Sequence, residues 1–445
     1  MCIRDRKITV TATEPKDNKL EANITVAAAD VDAAIKKAYK DIANQYRFQG
    51  FRKGKAPRPV IDGLVGKNYV LAQASEDVLQ QAQPLMLDEL DIVPVGEPHF
   101  DGEAKLVTEG ADFEATLVID VRPDCELESY DAPEINMPPA EVTEAELAEQ
   151  LDALLSYRAS FEDAADDYVA AENDLLTIDV ENVENGESLA GEDRPFMLGS
   201  TQVPVEFNDA IKGMKVGETK DVEIHVNGTD EAEAKTIKVK VTLKSAKKRV
   251  LPELNDEFAK SAGFDTVDAF KDAVKGEIAK DKETSLPNLK ESRVIEKLAD
   301  ALKLDKVPED YVKQVHDEIA QDILAQLQRQ GLTLDAWLNA RGIQAHEFLN
   351  DLNEQALERA RQSLALDALA KKLGFEASDE DIRAEFEDAG VADVDASLKE
   401  FKEAGRMPAV RESIKRTKAV DWLVENAKVN IVDEVAERRA ARDAE

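Results

Sequence analysis

The residues with the clearest chemical character lie together in the stretch Gln49–Pro59, which we call the basic loop. It combines four cationic residues, two glycines and two prolines with a single aromatic residue, Phe51. A large apolar ring between cations at a loop tip gains nothing by burial within its own domain, which makes it a candidate anchor for a partner. The chemistry that this stretch offers is recognition of an anionic partner.

The charge balance around the basic loop differs from that of the chain as a whole. The 445 residues carry a formal net charge of −36, whereas residues 36–67 contain nine lysines and arginines and only two aspartates. At physiological salt, charges are screened over about 8 Å. The patch can therefore meet phosphate groups although the remainder of the chain is acidic. The same acidity excludes a protein that coats nucleic acid with its whole surface.

The sequence contains few motifs for metal binding, nucleotide binding or nucleophilic catalysis. The four histidines lie far apart in sequence, and none has a second histidine or a cysteine at a metal-binding spacing. No phosphate-binding glycine loop and no nucleophile-elbow motif occurs. The sequence therefore predicts no metal site and no cofactor. These histidines are His99, His225, His316 and His346.

The basic loop needs elements on both sides to position it. Alternating apolar residues predict two strands within 7–29, and Asp30 is a candidate cap for a helix whose apolar face ends at Tyr46. Pro57 and Pro59 exclude helix over most of the basic loop. A second helical stretch is predicted from Pro59 to Leu90.

Further strands are predicted at Ile92–Val95 and Phe113–Val121, which makes residues 7–123 an α+β domain. Residues 124–160 form a connector that becomes helical after Thr143, a candidate N-cap. Residues 161–250 alternate short strands with glycine-containing turns. Residues 251–445 are almost entirely helical, and the charged end from Glu434 is expected to fray. Ser378 is predicted to cap a helix, and Gly374 and Gly405 to end helices.

The pattern Gly-Phe-Arg-x-Gly-Lys-x-Pro in the basic loop resembles the ribosome-docking signature of the trigger factor family, the bacterial nascent-chain chaperones. The resemblance continues in the family's order over nearly the whole chain. It implies ribosome docking through Phe51, Arg52 and Lys53, with support from Lys55 and Arg58. The residues that match the signature are Gly50, Phe51, Arg52, Lys53, Gly54, Lys55 and Pro57.

The resemblance also implies the domain plan. Residues 7–123 would bind the ribosome, 124–160 and 251–445 would form the helical chaperone domain, and 161–250 would be an inserted prolyl isomerase domain of the FKBP type. The expected fold class is multidomain α+β, with an elongated all-α C-terminal chaperone domain and a small FKBP-like insertion. The expected partners are the large ribosomal subunit, through protein and RNA at the tunnel exit, and unfolded nascent chains. A homodimer off the ribosome is also implied, and no nucleotide is hydrolysed.

The inserted module would hold the only active site. Prolyl isomerisation needs an apolar, aromatic-lined pocket and no nucleophile, and the candidate pocket residues are Phe196, Val203 and Phe207. Compared with the FKBP-type pattern, Pro204 replaces an isoleucine, Glu206 replaces a glycine, and Val180 occupies the position of a phenylalanine. The loop after Val226 is shortened and has no aromatic residue. The sequence therefore predicts the fold of the module but weak catalysis.

Two alternatives remain open at this point. The chain could be a prolyl isomerase whose helical parts only deliver substrate, or a ribosome-free periplasmic chaperone with a similar helical body. The basic loop, the absence of a recognisable signal peptide and the presence of only two cysteines favour a cytoplasmic chaperone. No apolar run approaches the length of a membrane span. Residues 1–6 do not continue the pattern that follows, and we expect them to be foreign to the protein.

Overall fold

The computed structural model describes residues 8–100, 105–165, 167–187, 189–200, 203–226 and 235–444. The helices are α1 (Ala28–Gln45), α2 (Arg58–Val65), α3 (Lys67–Leu90), α4 (Glu144–Tyr157), α5 (Val205–Ile211), α6 (Asp256–Ser261), α7 (Val267–Asp300), α8 (Glu309–Arg329), α9 (Leu334–Arg341), α10 (Ala345–Leu373), α11 (Asp379–Asp388), α12 (Val394–Glu403), α13 (Met407–Asn426) and α14 (Glu434–Asp443). The strands are β1 (Ile8–Ala12), β2 (Lys19–Val26), β3 (His99–Phe100), β4 (Phe113–Asp120), β5 (Glu126–Leu127), β6 (Glu134–Met137), β7 (Ser160–Asp163), β8 (Leu175–Glu184), β9 (Gly191–Met197), β10 (Thr219–Val226), β11 (Lys235–Val250), β12 (Leu302–Lys303) and β13 (Lys428–Ile431).

The chain forms two compact units. The first unit contains residues 1–137 and 287–430, and the second contains residues 138–286 and 431–445. Both helices and antiparallel sheets are present, so the predicted multidomain α+β class is confirmed. The four-part domain plan stays a prediction. Residues 1–6 lie outside the described ranges.

A four-stranded antiparallel sheet of order β1-β2-β4-β3 organises the N-terminal part of the first unit. β1 and β2 form the predicted hairpin, with Ile8 opposite Val26. Its turn contains Asp17 and Asn18 at positive φ, which these two residue types tolerate better than most. One face of β2 is buried against α1 and α3 in a single apolar core. This core supports both ends of the basic loop.

The start of α1 differs from the prediction. The helix begins at Ala28, two residues before Asp30, and Asp30 lies in its first turn. The Ala28 amide donates instead to Asp112 Oδ1 at 2.8 Å, a carboxylate that comes from a distant part of the chain. The helix therefore obtains its capping acceptor through tertiary structure, which local pattern reading does not detect.

Two other predictions around α3 were wrong. The helical stretch from Pro59 to Leu90 is divided into α2 and α3 at Gly66, whose φ of +87° breaks the helical path. Residues 92–95 form no strand. Pro94 lacks an amide donor, and Val95 makes a single backbone bond to the carbonyl of Asp120 at 2.7 Å.

The helical part of the first unit follows the predicted pattern closely. Ser378 caps α11 by accepting from the Asp381 amide, and Gly374 ends α10 in the left-handed conformation. Arg122 and Arg416 both pair with Asp367, so the residue that follows the N-terminal sheet is tied to α10 and α13. Within the described residues, no helix is long and apolar enough to cross a membrane.

The second unit is built on a five-stranded antiparallel sheet. Four strands follow the order β10-β11-β8-β9, and β7 pairs with the far end of β11. In that pairing, Ser160 lies opposite Val250. α4, α6 and the first part of α7 form a separate apolar cluster that includes Leu147, Leu151 and Phe258. Thr143 caps α4, as predicted, and it does so in a capping box with Glu146.

The predicted fraying from Glu434 was wrong, because α14 is a helix from Glu434 to Asp443. Arg438 pairs with Glu149 and Arg439 with Asp152, both on α4. A terminal stretch rich in charged residues has the composition of a solvated tail, so its sequence alone does not indicate that it packs on another helix. Here they match the acidic face of α4.

Candidate functional site

The basic loop is folded onto the end of α1. Phe48, only 6% exposed, belongs to the apolar core beneath it. The Phe51 amide donates to the carbonyl of Phe48, and the Lys55 amide donates to the carbonyl of Arg52 at 2.9 Å. The Gly54 amide then donates to the carbonyl of Ala43 in α1 at 2.9 Å. The loop is therefore a pair of turns with fixed ends, and its last two residues, Arg58 and Pro59, lie in the first turn of α2.

Gly50 and Gly54 permit this path because their φ angles are +84° and +76°. Their surroundings differ. A Cβ on Gly50 would meet nothing within 4 Å, whereas one on Gly54 would lie 2.3 Å from Asn44 Oδ1. The second glycine of the motif is thus favoured by its positive φ, and a Cβ there would also push aside the Asn44 side chain of α1.

The side chains at the tip are exposed. Phe51 is 42% exposed although it is a large apolar ring. Arg52, Lys53 and Lys55 are exposed, and within the described part of the chain no carboxylate lies within 4.0 Å of their charged nitrogens. Three uncompensated cations and one aromatic ring therefore share a short, anchored loop. This surface suits an anionic partner that also offers an apolar recess.

Arg58 has a different environment from these three cations. Its Nη1 donates to Glu109 Oε1 at 2.8 Å, and its guanidinium lies 4.8 Å from the centre of the Tyr39 ring. The hydrogen bond to Glu109 raises the pKa of Arg58. Tyr39 is largely buried and donates its hydroxyl to Asp62 Oδ1 at 2.7 Å. Burial, assisted by this hydrogen bond, raises the pKa of Tyr39 to about 12.

Sequence reasoning missed several residues around the basic loop. Tyr46 is exposed, although it was predicted to lie on the buried face of α1, because that helix ends at Gln45. Tyr69 is also exposed, and its interaction with the Tyr46 hydroxyl raises its pKa. Glu109 carries no local signal, since it is separated from Arg58 by 51 positions.

The candidate isomerase residues lie in the second unit. Phe196 on β9 and Phe207 on α5 make an edge-to-face contact with ring centres 5.4 Å apart. They are 9% and 2% exposed, respectively, and Val203 packs against the same apolar core. The structure thus brings the three predicted pocket residues together. The two rings fill the space between β9 and α5 and present little surface to a proline ring.

The residues that depart from the family pattern have distinct positions. Val180 is buried in the core of the sheet, and Pro204 is the residue before the first turn of α5. Glu206 lies in that first turn and is exposed. The shortened loop predicted after Val226 falls on residues 227–234, outside the described ranges.

A buried carboxylate, Asp174, also escaped sequence reasoning. It is 2% exposed and accepts hydrogen bonds from the Tyr168 hydroxyl at 2.7 Å and from the Ala171 and Arg249 amides at 2.9 and 3.0 Å. These donors satisfy the carboxylate, so its role is to fix the chain around the sheet. Burial, together with the bond to Asp174, raises the pKa of Tyr168 to about 12. Across the ranges described above, no group of three histidine, cysteine or acidic side chains could hold a metal ion.

Comparison with known proteins places this arrangement in a class. Residues 7–154 match the family described as bacterial trigger factor protein, and residues 266–425 match the C-terminal domain of the same family. Trigger factor from Carboxydothermus hydrogenoformans is 34% identical over 94% of this chain and 99% of its own length. Trigger factor from Lysinibacillus sphaericus is 32% identical over 91% and 96%, respectively. A solved structure of the trigger factor chaperone, reported for promiscuous substrate recognition in folding and assembly, aligns over 94% of this chain at 19% identity, with a TM-score of 0.36.

The fold and the basic loop together define a class of multidomain α+β proteins that present a compact cationic surface on an anchored loop. The sequence relatives define the family within this class: the chain belongs to the trigger factor family. It is a ribosome-associated chaperone that binds the ribosome and nascent chains. The alternative reading, a dedicated isomerase, is not favoured.

Proposed function

We propose that the chain docks on the large ribosomal subunit at the tunnel exit through Phe51, Arg52 and Lys53, with Lys55 in support. The observation that carries this proposal is the exposure of the ring beside three cations that no carboxylate of the described chain neutralises. The cations would bind phosphates of ribosomal RNA, and the Phe51 ring would enter an apolar recess of a ribosomal protein. Held at this position, the helical part of the chain offers apolar contacts to emerging polypeptides without hydrolysing ATP.

Co-sedimentation with purified bacterial ribosomes tests this assignment. The triple variant Phe51→Ala/Arg52→Ala/Lys53→Ala is expected to lose affinity on the order of a hundredfold, the range typical when an aromatic anchor and its neighbouring charges are removed. Its melting temperature should stay unchanged, since surface substitutions cost under about 0.5 kcal/mol. Phosphate contacts also predict a steep loss of affinity as salt rises.

A matched control separates the loop from general electrostatics. Lys36 and Lys40 lie on α1 within the same basic segment and are exposed. The variant Lys36→Ala/Lys40→Ala removes as many charges as the triple variant and should bind nearly as well as the wild type. Equal losses for the two variants, or wild-type binding by a folded triple variant, would refute docking through the loop.

The inserted module is assigned a minor catalytic role. The support for this assignment is that Phe196 and Phe207 are buried against each other, while Val180 and Pro204 stand where the FKBP-type pattern has larger apolar groups. The module then serves mainly as a folded part of the chaperone. Residues 161–250 are its proposed limits, and 124–160 together with 251–445 are the proposed limits of the helical chaperone domain.

Two further assignments complete the proposal. Docking on ribosomes places the protein in the cytoplasm, and the family resemblance implies a homodimer away from the ribosome. Sedimentation velocity over a wide concentration range tests the dimer. A single species of monomer mass at every concentration would contradict it.

A further inference from the structure

Arg58 is the one cation of the basic loop that already has a carboxylate partner within the described chain. It lies outside the motif that matches the family, directly after Pro57. Its guanidinium is bound on two sides, by the carboxylate of Glu109 at 2.8 Å and by the face of the Tyr39 ring at 4.8 Å. A cation so placed has fewer donors left for a phosphate than its neighbours have.

These contacts join three segments of the chain. Tyr39 comes from the middle of α1, Glu109 from the turn before β4, and Arg58 from the first residue of α2. Asp62, one turn further along α2, accepts the hydroxyl of the same tyrosine at 2.7 Å. The start of α2 is therefore fixed to α1 at two points, immediately after the basic loop ends.

The other end of the basic loop is fixed separately. Phe48 is buried in the core, and the Gly54 amide is bound to Ala43. The exposed residues 51–53 lie between Phe48 and Gly54, and the Arg58 contacts hold the chain four residues beyond Gly54. A loop held at both ends loses less conformational entropy on binding than a free one.

We infer that Arg58 is a positioning residue, which fixes the exit of the basic loop through Tyr39 and Glu109 and does not itself contact the ribosome. This inference rests on the proposed docking function. It assigns Glu109 and Tyr39 to the docking apparatus although neither lies in the motif. The loop cations then have two different roles. Arg52 and Lys53 bind the partner, whereas Arg58 holds the loop in position.

The test measures ribosome affinity of the full-length chain at several salt concentrations, for Arg58→Lys, Arg58→Met and Arg52→Met. A lysine keeps the charge but has neither the planar fork nor the same stacking on tyrosine. Arg58→Lys should therefore lose about three- to tenfold in affinity, as expected when a modest ordering contribution is lost. The dependence of log affinity on log salt should match the wild type for both Arg58 variants. Arg52→Met should reduce that slope by about 0.7–0.9, the range for one phosphate contact on single-stranded and duplex nucleic acid.

Glu109→Gln gives an independent measurement. It should produce a loss similar to that of Arg58→Lys, and the double variant should be no worse than either single variant, because both break the same contact. Glu114→Gln, an exposed carboxylate on the neighbouring strand β4, controls for the change in net charge. Hydrogen exchange at the Gly54 and Lys55 amides should become faster in the free Arg58 variants while their melting temperatures stay unchanged.

The outcomes distinguish the role of Arg58 from the docking function of residues 51–53. If Arg58→Met lowers the salt slope as much as Arg52→Met does, Arg58 contacts the ribosome and the inference is wrong. Wild-type affinity for Arg58→Lys, or tighter binding by Glu109→Gln than by Glu114→Gln, would also overturn it. If the triple variant at positions 51–53 binds normally, the proposed docking function itself fails, whatever the Arg58 variants do.

Discussion

Phe51 and Phe207 are the same side chain in two opposite settings. Phe51 stands at the tip of an anchored loop, 42% exposed and surrounded by uncompensated cations. Phe207 is 2% exposed and packs edge to face on Phe196. The apolar surface of an exposed aromatic ring is available to be buried against a partner, whereas that of a buried ring already contributes to the stability of the fold. The presence of an aromatic residue at a family position therefore does not establish a binding surface.

The largest expected difference concerns stability. Phe207→Ala should destabilise the second unit by about 3–5 kcal/mol, because it leaves a ring-sized cavity in the core. Phe51→Ala should change the unfolding free energy by less than about 0.5 kcal/mol. Urea unfolding of the two full-length variants measures both values. Comparable losses would show that the two rings are not in opposite settings.

The burial of Phe196 and Phe207 also predicts weak catalysis. The full-length chain should isomerise an Xaa-Pro peptide at least about tenfold more slowly than an ordinary FKBP-type enzyme, since one lost apolar contact of about 1.5–3 kcal/mol in the transition state suffices for that factor. A protease-coupled assay measures the rate.

Glu206→Gly provides the control for that assay. Glu206 is exposed in the first turn of α5, so restoring the family glycine should change the rate less than about twofold if the buried rings are the obstacle. Full FKBP-like activity of the wild type would contradict the prediction of weak catalysis. Full activity that appears only in Glu206→Gly would mean that the contact between Phe196 and Phe207 is not the cause of the weak catalysis.

The third prediction tests how firmly the exposed ring is held. Gly54→Ala and Gly50→Ala should each cost on the order of 1 kcal/mol, because both glycines have positive φ. Gly54→Ala should cost slightly more, since its Cβ would push aside the side-chain carboxamide of Asn44. Thermal unfolding gives the order of stabilities, and ribosome affinity should follow the same order. Reversal of that order would contradict the anchoring of the loop on α1.

The smallest expected effect is a pH dependence. The pKa of Tyr39 is raised to about 12 in the folded chain, above its ordinary value of 10. A group whose pKa is higher in the folded state stabilises that state below its unfolded pKa and loses this contribution as pH rises towards the folded value. Unfolding free energy should therefore fall above pH 10, by less than about 1 kcal/mol up to pH 10.5. Tyr39→Phe should lack this part of the slope, and an identical slope in both proteins would exclude Tyr39 as its source.

Local signals predicted much of this architecture. The caps at Thr143 and Ser378 depend on contacts three residues apart, and both are present. The hairpin turn and the exposed loop were likewise readable from residue types. The features that sequence reasoning missed depend on distant parts of the chain. Asp112 caps α1 across 84 positions, and Glu109 reaches Arg58 across 51. No periodicity encodes such pairs.

The same distinction applies to the candidate sites. Residues 50–57 could be identified because their types and order are unusual in so acidic a chain. The state of the isomerase-like residues could not be read in the same way. Composition predicted a depleted pocket, but whether Phe196 and Phe207 line a space or fill it depends on how β9 and α5 pack. The predicted loss of the aromatic loop after Val226 stays a prediction.

The pairing of Ser160 with Val250 has a consequence for engineering. Partners in an antiparallel ladder have Cα atoms about 4.5–5.5 Å apart. The point where the chain enters the sheet after α4 therefore lies next to the point where it leaves towards α6. We expect that the residues between Ser160 and Val250 could be replaced as one segment, because a linker of about two or three residues would span the gap between these two positions. The loop-closure entropy of so short a connection is small, and the apolar cluster of Leu147, Leu151 and Phe258 lies outside this segment. We therefore expect the sheet to behave as an insert whose two attachment points lie at one of its edges.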